Sequence, residues 1–416
     1  MNILLTNIKL LINTRKQNQL LRGAELADLP CIEDAFLAIE HDKIAAFGSM
    51  DELIHNTRVF SEVVDLEGQM VLPCWCDSHT HLVFAASREN EFVDKINGKT
   101  YAEIAANGGG ILNSAKTIEA TSEDELFNIA WKRLEDLLYL GTGAIEIKSG
   151  YGLSVAAELK MLRVIKRLKE KSPIPIKATF LGAHTYPIAF KENHRGYIDM
   201  IVQEMLPQIA RENLADYIDV FCEEGFFSKE ETIEICTAGA KHGLKAKIHA
   251  NQLSLSGGVE AGVEVNAISV DHLETMDDTS VAVLKNSNTI GTLLPTAAFF
   301  LRMTMQPARK IIDAGCAVAL ASDFNPGSSP SGNMNFVVSL SCIQMKMLPA
   351  EAINAATING AYAMGVEEQV GSIMIGKKAN LIITKSIPSL AYLPYAFGEN
   401  SVDKVIINGQ FLKSRK

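Results

Sequence analysis

The stretch MVLPCWCDSHTHL, residues 70–82, decides the fold prediction because an apolar strand ends there in two histidines. In extended backbone, residues i and i+2 point to the same side, so His79 and His81 can both reach one metal ion. The alternative is a pair of hydrogen-bonded histidines at a strand end. Whether the two histidines bind a metal therefore depends on which other side chains the fold brings close to them.

Seven further strand-like runs follow, and amphipathic helices separate them. The runs are AIEIK, IKATFL, YIDVFC, KAKIH, AISVDH, TIGTLL and AVALAS. One helix, in TSEDELFNIAWKRLEDLLYLG, is announced by Ser122 and Glu125 at capping-box spacing and ends at Gly141. Alternating strands and helices are typical of parallel sheets, and eight such units in one chain predict a closed (β/α)8 barrel. Short β-type runs with turns between them occupy both ends of the chain, where Asn408-Gly409 is a hairpin signal.

The composition excludes several classes of protein. Of 416 residues, 47% are hydrophobic and 21% are charged, which is typical of a globular chain and not of a disordered one. The formal net charge of -10, without a long basic cluster, argues against nucleic acid as a partner. We expect no signal peptide, because the apolar start MNILLTNIKLLI lacks a basic segment and a small-residue cleavage site, and no membrane span, since no apolar run approaches roughly 20 residues. Seven cysteines, mostly inside apolar runs, indicate a reduced, cytoplasmic protein.

Polar side chains collect where the predicted strands end, and five of the nine histidines are among them. The set is His79, His81, Lys148, Tyr151, His184, Glu223, His249, His272, Thr296 and Asp323. The carboxyl ends of barrel strands carry the active site, so we expect these side chains to converge. Adding His249 and Asp323 to the His79–His81 pair gives three nitrogen donors and one oxygen donor, a set that suits zinc or ferrous iron. Thiolate ligation by Cys74 and Cys76 is the less favoured alternative, because both precede the rim and alternate into the barrel wall.

This pattern resembles the amidohydrolase superfamily: His-X-His after the first strand, His249 and His272 after the fifth and sixth, and Asp323 after the eighth. Within that superfamily, nearly the whole chain resembles the imidazolonepropionase family. The motifs that carry the resemblance are HTHLVFAASRENEF, NGGGI, EIKSGYGL, FLGAHTYP, HANQLS, DHLE and SDFNPGSSP. It implies a barrel plus a small β-sandwich assembled from both termini. We therefore expect residues 1–68 and 366–416 in the sandwich and residues 69–365 in the barrel.

The resemblance implies hydrolysis of the ring C–N bond of 4-imidazolone-5-propanoate to N-formimidoyl-L-glutamate, a step of histidine degradation. One divalent metal ion per subunit, zinc or iron, would activate the attacking water. Asp323 would accept the water proton and pass it to the leaving nitrogen. His272 would hold Asp323 and the water in line or share the proton, with a satisfied core histidine as the alternative. His184 could donate to the developing oxyanion.

The same resemblance assigns substrate contacts. Arg88 offers two parallel N–H donors to the carboxylate tail, although a solvated surface arginine is the alternative. Tyr151 could hydrogen-bond the tail, stack on the ring or simply pack. Gln252 could bind the ring nitrogens. The turn Asn325, Gly327 and Ser328 matches the product-binding stretch of the family.

Some features depart from the family pattern. Position 252 is glutamine where some members carry glutamate, so a carboxylate base is absent there. The usual Gly-Phe after Leu-Pro is here Cys74-Trp75. Lys148 ends the second strand and not the fourth, where binuclear relatives place a carbamylated lysine, so one metal is favoured. Lys148 and Glu223 as ligands of a second metal are the disfavoured alternatives.

Two other functions stay open at this point. One is a related cyclic-amide hydrolase or deaminase acting on another small ring, which barrels reach by changing loops. The other is a non-catalytic binding or assembly protein on the same barrel. The expected partner is a small-molecule substrate, and the resemblance suggests a homodimer.

Overall fold

The computed structural model describes residues 2–55, 58–99, 103 and 109–413 of the chain. Asn107 and Gly108, in the NGGGI motif, lie outside these described residues. The strands, in chain order, are β1 Asn2–Ile12, β2 Cys31–Glu40, β3 Lys43–Ser49, β4 Glu62–Asp65, β5 Met70–Pro73, β6 Trp75–Asp77, β7 Thr142–Lys148, β8 Ile176–Ala183, β9 Tyr217–Cys222, β10 Lys245–Ala250, β11 Ser269–His272, β12 Ile290–Leu293, β13 Val318–Leu320, β14 Leu381–Thr384, β15 Val402–Ile407 and β16 Gln410–Phe411.

The predicted barrel is confirmed. Strands β6 to β13 pair in chain order as a parallel sheet of eight strands. The ring closes just beyond the ends of β6 and β13, where the Asp323 amide donates to the His79 carbonyl at 3.0 Å. The His81 amide donates in turn to the Phe324 carbonyl at 2.9 Å. The hydrogen bonds that close the barrel therefore bring three of the predicted metal ligands to one point on the rim.

The remaining strands form a separate sheet from both ends of the chain. Its order is β16-β15-β14-β5-β1-β2-β3, and β4 pairs with β1. Alternating buried positions along β1 and β2, such as Ile3, Leu5, Leu37 and Ile39, build a core distinct from that of the barrel. This sheet confirms the expectation of a second β unit made by both termini.

The stretch MVLPCWC is one strand in the sequence prediction, and that detail is wrong. Residues 70–73 pair with β14 and β1 in the terminal sheet, whereas residues 75–77 pair with β7 in the barrel. Between them, the Cys74 amide donates to the Asn380 carbonyl at 3.0 Å. Both halves are buried, so their hydropathy is the same and the change of sheet leaves no local signal. We propose that the boundary between the N-terminal part of the β unit and the barrel lies at Cys74. We propose that the barrel ends at residue 365, as expected from the sequence.

Helices and helical turns follow most of the barrel strands. In chain order they are α1 Glu89–Ile96, α2 Ile111–Ala120, α3 Glu123–Tyr139, α4 Val155–Lys171, α5 His194–Met200, α6 Leu206–Glu212, α7 Lys229–Lys241, α8 Gly258–Glu264, α9 Asp278–Lys285, α10 Pro295–Leu301, α11 Ala308–Asp313, α12 Met334–Met345, α13 Pro349–Ala356, α14 Ile358–Ala363 and α15 Tyr392–Tyr395. Short 3-10 helices occupy Gly23–Ala27, Met50–His55 and Ile188–Phe190, and a π-helical turn, Ile201–Met205, joins α5 to α6.

Helix α3 shows why the sequence signals worked. The Ser122 hydroxyl accepts the Glu125 amide at 3.2 Å, as the spacing predicts. Its apolar residues three and four apart face the barrel, and Leu126, Ala130 and Leu134 are fully buried. Gly141 then ends the segment with φ +93°, and an added Cβ would lie 2.5 Å from Ile382. Within the described residues, every helix is too short or too polar to span a bilayer.

Candidate active site

Three histidine rings and one carboxylate converge at the carboxyl rim of the barrel. Nε2 of His249 lies 3.4 Å from Nε2 of His81. Asp323 Oδ1 lies 3.5 Å from Nε2 of His79 and 3.5 Å from Nε2 of His81. The ligand atoms of the three histidines lie within 4.8 Å of one another, and all four side chains are buried. The structure thus brings together the four residues that the sequence proposes as metal ligands.

The backbone at this rim adopts conformations that side chains rarely accept. Asp323 has φ 52° and His272 has φ 86°, both in the left-handed region. Such a conformation costs of order 1–3 kcal/mol for a residue other than glycine and is retained where the surroundings impose it. At Asp323 the barrel-closing hydrogen bond to His79 is that constraint. In this conformation the Asp323 carboxylate lies beside His79 and His81.

Two buried carboxylates, which are not among the residues predicted from the sequence, stand behind the histidines. Asp271 Oδ2 lies 2.7 Å from Nδ1 of His79. Asp219 Oδ2 lies 3.0 Å from Nδ1 of His249. A carboxylate hydrogen-bonded to the far nitrogen, as Asp271 is to His79, keeps the proton there and leaves Nε2 available to a metal. A signal existed, since each is a lone charge inside an apolar strand, YIDVFC or AISVDH.

The donor set fits a metal ion. His79 Nε2 is buried and has no hydrogen-bond partner among the described residues. Burial, with Lys148 nearby, lowers the pKa of His79 well below its usual value, and burial does the same for His81. Neutral imidazoles with bare nitrogens are the metal-binding form. Three imidazole nitrogens and one carboxylate oxygen are a donor set suited to a divalent metal ion.

Asp323 and His272 face each other across the same space. Burial raises the pKa of the Asp323 carboxyl to about 7, against the opposing charge of His272. A bound cation would act in the opposite sense and favour the carboxylate. Nδ1 of His272 lies 3.5 Å from Glu274 Oε1. Burial works to lower the pKa of His272, but Glu274 and the neighbouring aspartates outweigh it and raise that pKa.

A cavity of about 500 Å³ opens over this group. All seven residues that the sequence proposes as substrate contacts line it: Arg88, Tyr151, His184, Gln252, Asn325, Gly327 and Ser328. The wall also contains residues that the sequence analysis did not single out: Glu91, Lys95, Ile111, Phe221, Phe226, Leu253 and Leu301. Three of the four candidate metal ligands, His81, His249 and Asp323, therefore line the same cavity as the proposed substrate contacts.

Arg88 lines this cavity, and its guanidinium is held by several neighbouring groups. Its Nε and Nη2 donate to Ser114 Oγ at 3.0 and 2.8 Å, and the group lies 5.6 Å from the centroid of the Tyr151 ring. A Cβ built on Gly327 would stand 2.3 Å from Nη1 of Arg88. The absence of a side chain at position 327 makes room for the guanidinium. Half-buried and held this way, Arg88 differs from a freely solvated arginine.

His184 and Asn325 have their polar atoms engaged by the protein. Nδ1 of His184 lies 3.0 Å from the Gly150 carbonyl, its ring stacks on His81, and burial lowers its pKa to about 3. The Asn325 side chain donates to the Asp323 carbonyl and to Ser328 Oγ, each at 2.7 Å. It also accepts the Gly327 and Ser328 amides at 2.8 Å. Asn325 thus shapes the turn that presents Ser328 and Gly327 to the cavity.

The alternative ligands lie elsewhere. Lys148 is fully buried below the histidines and pairs with Glu146 and Asp219. Glu223 is turned towards the Leu253 amide, which donates to it at 2.8 Å. Cys74 and Cys76 are buried, and burial raises the pKa of the Cys76 thiol to about 12.

Trp75, the other half of the departure at Cys74-Trp75, is also accounted for. Its side chain is fully buried in the main core of the barrel. The indole N–H donates to Asn335 Oδ1 at 3.2 Å, which satisfies its polar atom. The bulky residue therefore fills the space between the first barrel strand and α12.

A parallel eight-stranded barrel with these donors at its carboxyl rim defines a hydrolase of the amidohydrolase class. Residues 227–412 match the model described as "Amidohydrolase family". The chain is 56% identical over 413 residues to the imidazolonepropionase of Christiangramia forsetii, covering 99% of this chain and 100% of that protein. It is 57% identical over 410 residues to that of Flavobacterium johnsoniae, covering 98% and 99%. The chain belongs to the imidazolonepropionase family.

Solved structures support the same fold. A guanine deaminase from E. coli superposes with a TM-score of 0.72 at 15% identity, covering 100% of both chains. An adenosine deaminase from Xanthomonas campestris with bound zinc gives 0.69 at 14% identity, covering 98% of this chain and 92% of that one. At such low identity the likeness concerns the fold and says nothing of the substrate.

Proposed function

We propose that this chain hydrolyses the ring C–N bond of 4-imidazolone-5-propanoate and releases N-formimidoyl-L-glutamate. The observation that carries the proposal is the shared cavity, which is lined both by a guanidinium suited to the carboxylate tail and by His81, His249 and Asp323 of the metal group. Family membership at 56% identity over nearly the full chain agrees with it. The alternative of a non-catalytic barrel would not need four converging donors with two carboxylates behind them.

We further propose one divalent ion, zinc or iron, held by His79, His81, His249 and Asp323. Such an ion would lower the pKa of bound water towards neutrality and so would supply hydroxide at neutral pH. Lys148 and Glu223 are engaged by other groups, which supports one ion over two.

Asp323 is our candidate for proton transfer. Its Oδ1 faces the histidines, while Oδ2 lies 3.4 Å from the Ser328 hydroxyl, on the side of the cavity. That oxygen can accept a proton from the attacking water and return it to the leaving ring nitrogen. His272, whose Nδ1 lies 3.5 Å from Glu274 Oε1, would hold the carboxylate and the water in line or share the proton.

The role of His184 depends on which nitrogen carries its proton. The Gly150 carbonyl can only accept, so Nδ1 of His184 is the donor and Nε2 of the neutral ring is an acceptor. Neutral His184 would therefore accept a hydrogen bond from the substrate. It could donate to an oxyanion, as the sequence suggests, only after gaining a proton during the reaction.

The remaining contacts orient the substrate. Arg88 would bind the carboxylate tail with charge-assisted hydrogen bonds. Tyr151, beside the guanidinium, would pack against the ring or donate to the tail, and Gln252 would bind the ring nitrogens. The turn at Gly327 and Ser328 would supply a backbone amide and a hydroxyl to the product.

The test is turnover by purified protein. Incubation with 4-imidazolone-5-propanoate should consume the substrate and produce N-formimidoyl-L-glutamate, detected by mass spectrometry. Stripping with a chelator should stop turnover, and stoichiometric zinc or iron should restore it. Failure of the metal-loaded protein to consume this substrate would refute the proposal. Turnover of another cyclic amide or of an aminated ring instead would favour the second enzyme hypothesis.

We also propose a homodimer that works in the cytoplasm. The family resemblance supports the dimer. All seven cysteines are free and five are buried, which fits a reducing compartment. Light scattering on the protein eluted from a sizing column would show whether its mass is that of one chain or two. Cell fractionation would show in which compartment the protein occurs.

A further inference from the structure

A cluster of charged side chains is sealed inside the barrel, directly below the proposed metal site. It consists of Glu146, Lys148, Asp219, Lys247 and Asp271, each with 0% of its surface exposed. Charges are almost never buried so completely unless they are paired, because removing an ion from water costs several kcal/mol. Three carboxylates and two ammonium groups offset most of this cost.

Lys148 lies at the centre of the cluster. Its Nζ is 2.6 Å from Glu146 Oε1, 2.8 Å from Asp219 Oδ2 and 3.6 Å from Asp271 Oδ2. Burial acts to lower the pKa of Lys148, but Asp219 and Glu146 outweigh it and raise that pKa above its usual value. The side chain is therefore a fixed cation between carboxylates.

The barrel geometry explains this meeting. Lys148, Asp219 and Asp271 stand on the second, fourth and sixth barrel strands, β7, β9 and β11. Alternate strands contribute side chains to one layer of a barrel interior, so the three share a layer. Residues from strands that are not neighbours in the sheet are thus held within hydrogen-bonding reach.

The two aspartates are the groups behind the histidines. Asp271 contacts Nδ1 of His79 at 2.7 Å, and Asp219 contacts Nδ1 of His249 at 3.0 Å. Asp219 also accepts the His249 amide at 3.1 Å through its other oxygen. One ammonium group is therefore in contact with the partners of two candidate ligands, His79 and His249.

We propose that Lys148 is a positioning residue that holds Asp219 and Asp271 in place and through them orients His249 and His79 towards one metal ion. The inference rests on the proposed metal site. Partners of ligand histidines typically contribute 10- to 100-fold to metal affinity. A residue that anchors two such partners at once should have an effect of similar size.

The rival explanation is that Lys148 only neutralises buried carboxylates. Glu146 is the matched control, because it contacts Lys148 and Lys247 without contacting a histidine. The double variant Lys148→Met with Glu146→Gln removes one positive and one negative charge, so the net charge of the cluster is unchanged. Lys148→Arg keeps the charge and alters only its geometry.

The experiment measures zinc affinity by competition with a chromophoric chelator, after circular dichroism has shown that each metal-free variant is folded. We expect binding about 10- to 100-fold weaker in Lys148→Met, in the double variant and in Lys148→Arg. The zinc affinity of Glu146→Gln should stay within about threefold of wild type, because Glu146 contacts none of the candidate ligands directly. The visible spectrum of the cobalt-substituted protein should change in the Lys148 variants, since it reports ligand geometry.

The inference would be overturned if any folded Lys148 variant bound zinc with the affinity of wild type and gave the wild-type spectrum with cobalt. Loss of fold in all three would do so too, because it would show a structural role. Should wild-type protein itself bind no metal, the proposed function would fail instead. The two failures are therefore distinguishable.

Discussion

Nε2 of His249 and Nε2 of His81 lie 3.4 Å apart inside the barrel rim, although 168 residues separate them in the chain. We predict that His249→Ala loses stoichiometric metal and that turnover falls on the order of 10³-fold or more, since no activated water remains. Elemental analysis and steady-state rates would check this. His242, exposed at the end of α7, gives the matched control His242→Ala, which should keep both. Turnover that survives in folded His249→Ala would contradict the proposed mechanism.

Replacing Arg88 by lysine should weaken substrate binding. Lysine keeps the charge but loses the planar fork of donors, which we expect to cost about 1.5–3 kcal/mol, or roughly 10- to 100-fold in KM. Metal content should not change, because Arg88 lies outside the ligand group. The control is Arg211→Lys on the exposed side of α6. An unchanged KM would remove Arg88 from the substrate site.

Gly327→Ala tests the same contact from the other side. The new Cβ would stand 2.3 Å from Nη1 of Arg88, so the guanidinium must move. We expect a rise in KM of roughly tenfold, with metal content and fold retained. Gly398→Ala, where an added Cβ meets nothing within 4 Å, should behave as wild type. Equal KM values for the two variants would show that Arg88 does not need its observed position.

Lys377 should make stability depend on pH. It is buried, donates to the Val370 carbonyl at 3.0 Å and to Ser372 Oγ at 2.8 Å, and burial lowers its pKa from 10.5 to about 8. Between these values the unfolded chain still holds the proton that the folded chain has lost. Unfolding free energy contributed by this group therefore rises with pH from about 8 to 10.5 and is constant below about 8.

Urea unfolding at several pH values would measure this. Relative to Lys377→Met, wild type should gain up to about 3 kcal/mol across the window, since one pKa unit corresponds to about 1.4 kcal/mol. The matched control is Lys378→Met, which removes a neighbouring half-buried lysine and leaves Lys377 in place, so its unfolding free energy should still rise with pH across this window. A pH-independent difference between wild type and Lys377→Met would contradict the shift.

Much of the fold was predictable because its signals are local. Apolar runs, capping at Ser122 and the hairpin signal at Asn408-Gly409 each involve residues a few positions apart. Active sites of barrels lie at the carboxyl ends of the strands, so the residues that follow each predicted strand could be named as candidate site residues. That rule is sufficient to place His79, His81, His249 and Asp323 on one rim.

The failures have one physical origin. The division of MVLPCWC between two sheets depends on β14, which follows some 300 residues later, and hydropathy is the same for both halves. Asp219, Asp271 and Lys148 each look like an isolated charge in an apolar strand. Their meaning depends on which side chains stand opposite, and sequence spacing does not carry that information.

The sequence by itself determined the barrel, the terminal β unit, the family and the residue types around the metal group, because periodicity and strand ends are properties of short segments. Only the tertiary structure decided which carboxylate backs which histidine, how Gly327 makes room for Arg88 and how Lys148 joins two aspartates. Those relationships arise where strands distant in the chain contribute to one interior layer. These contacts form only when the barrel closes and brings the distant strands together.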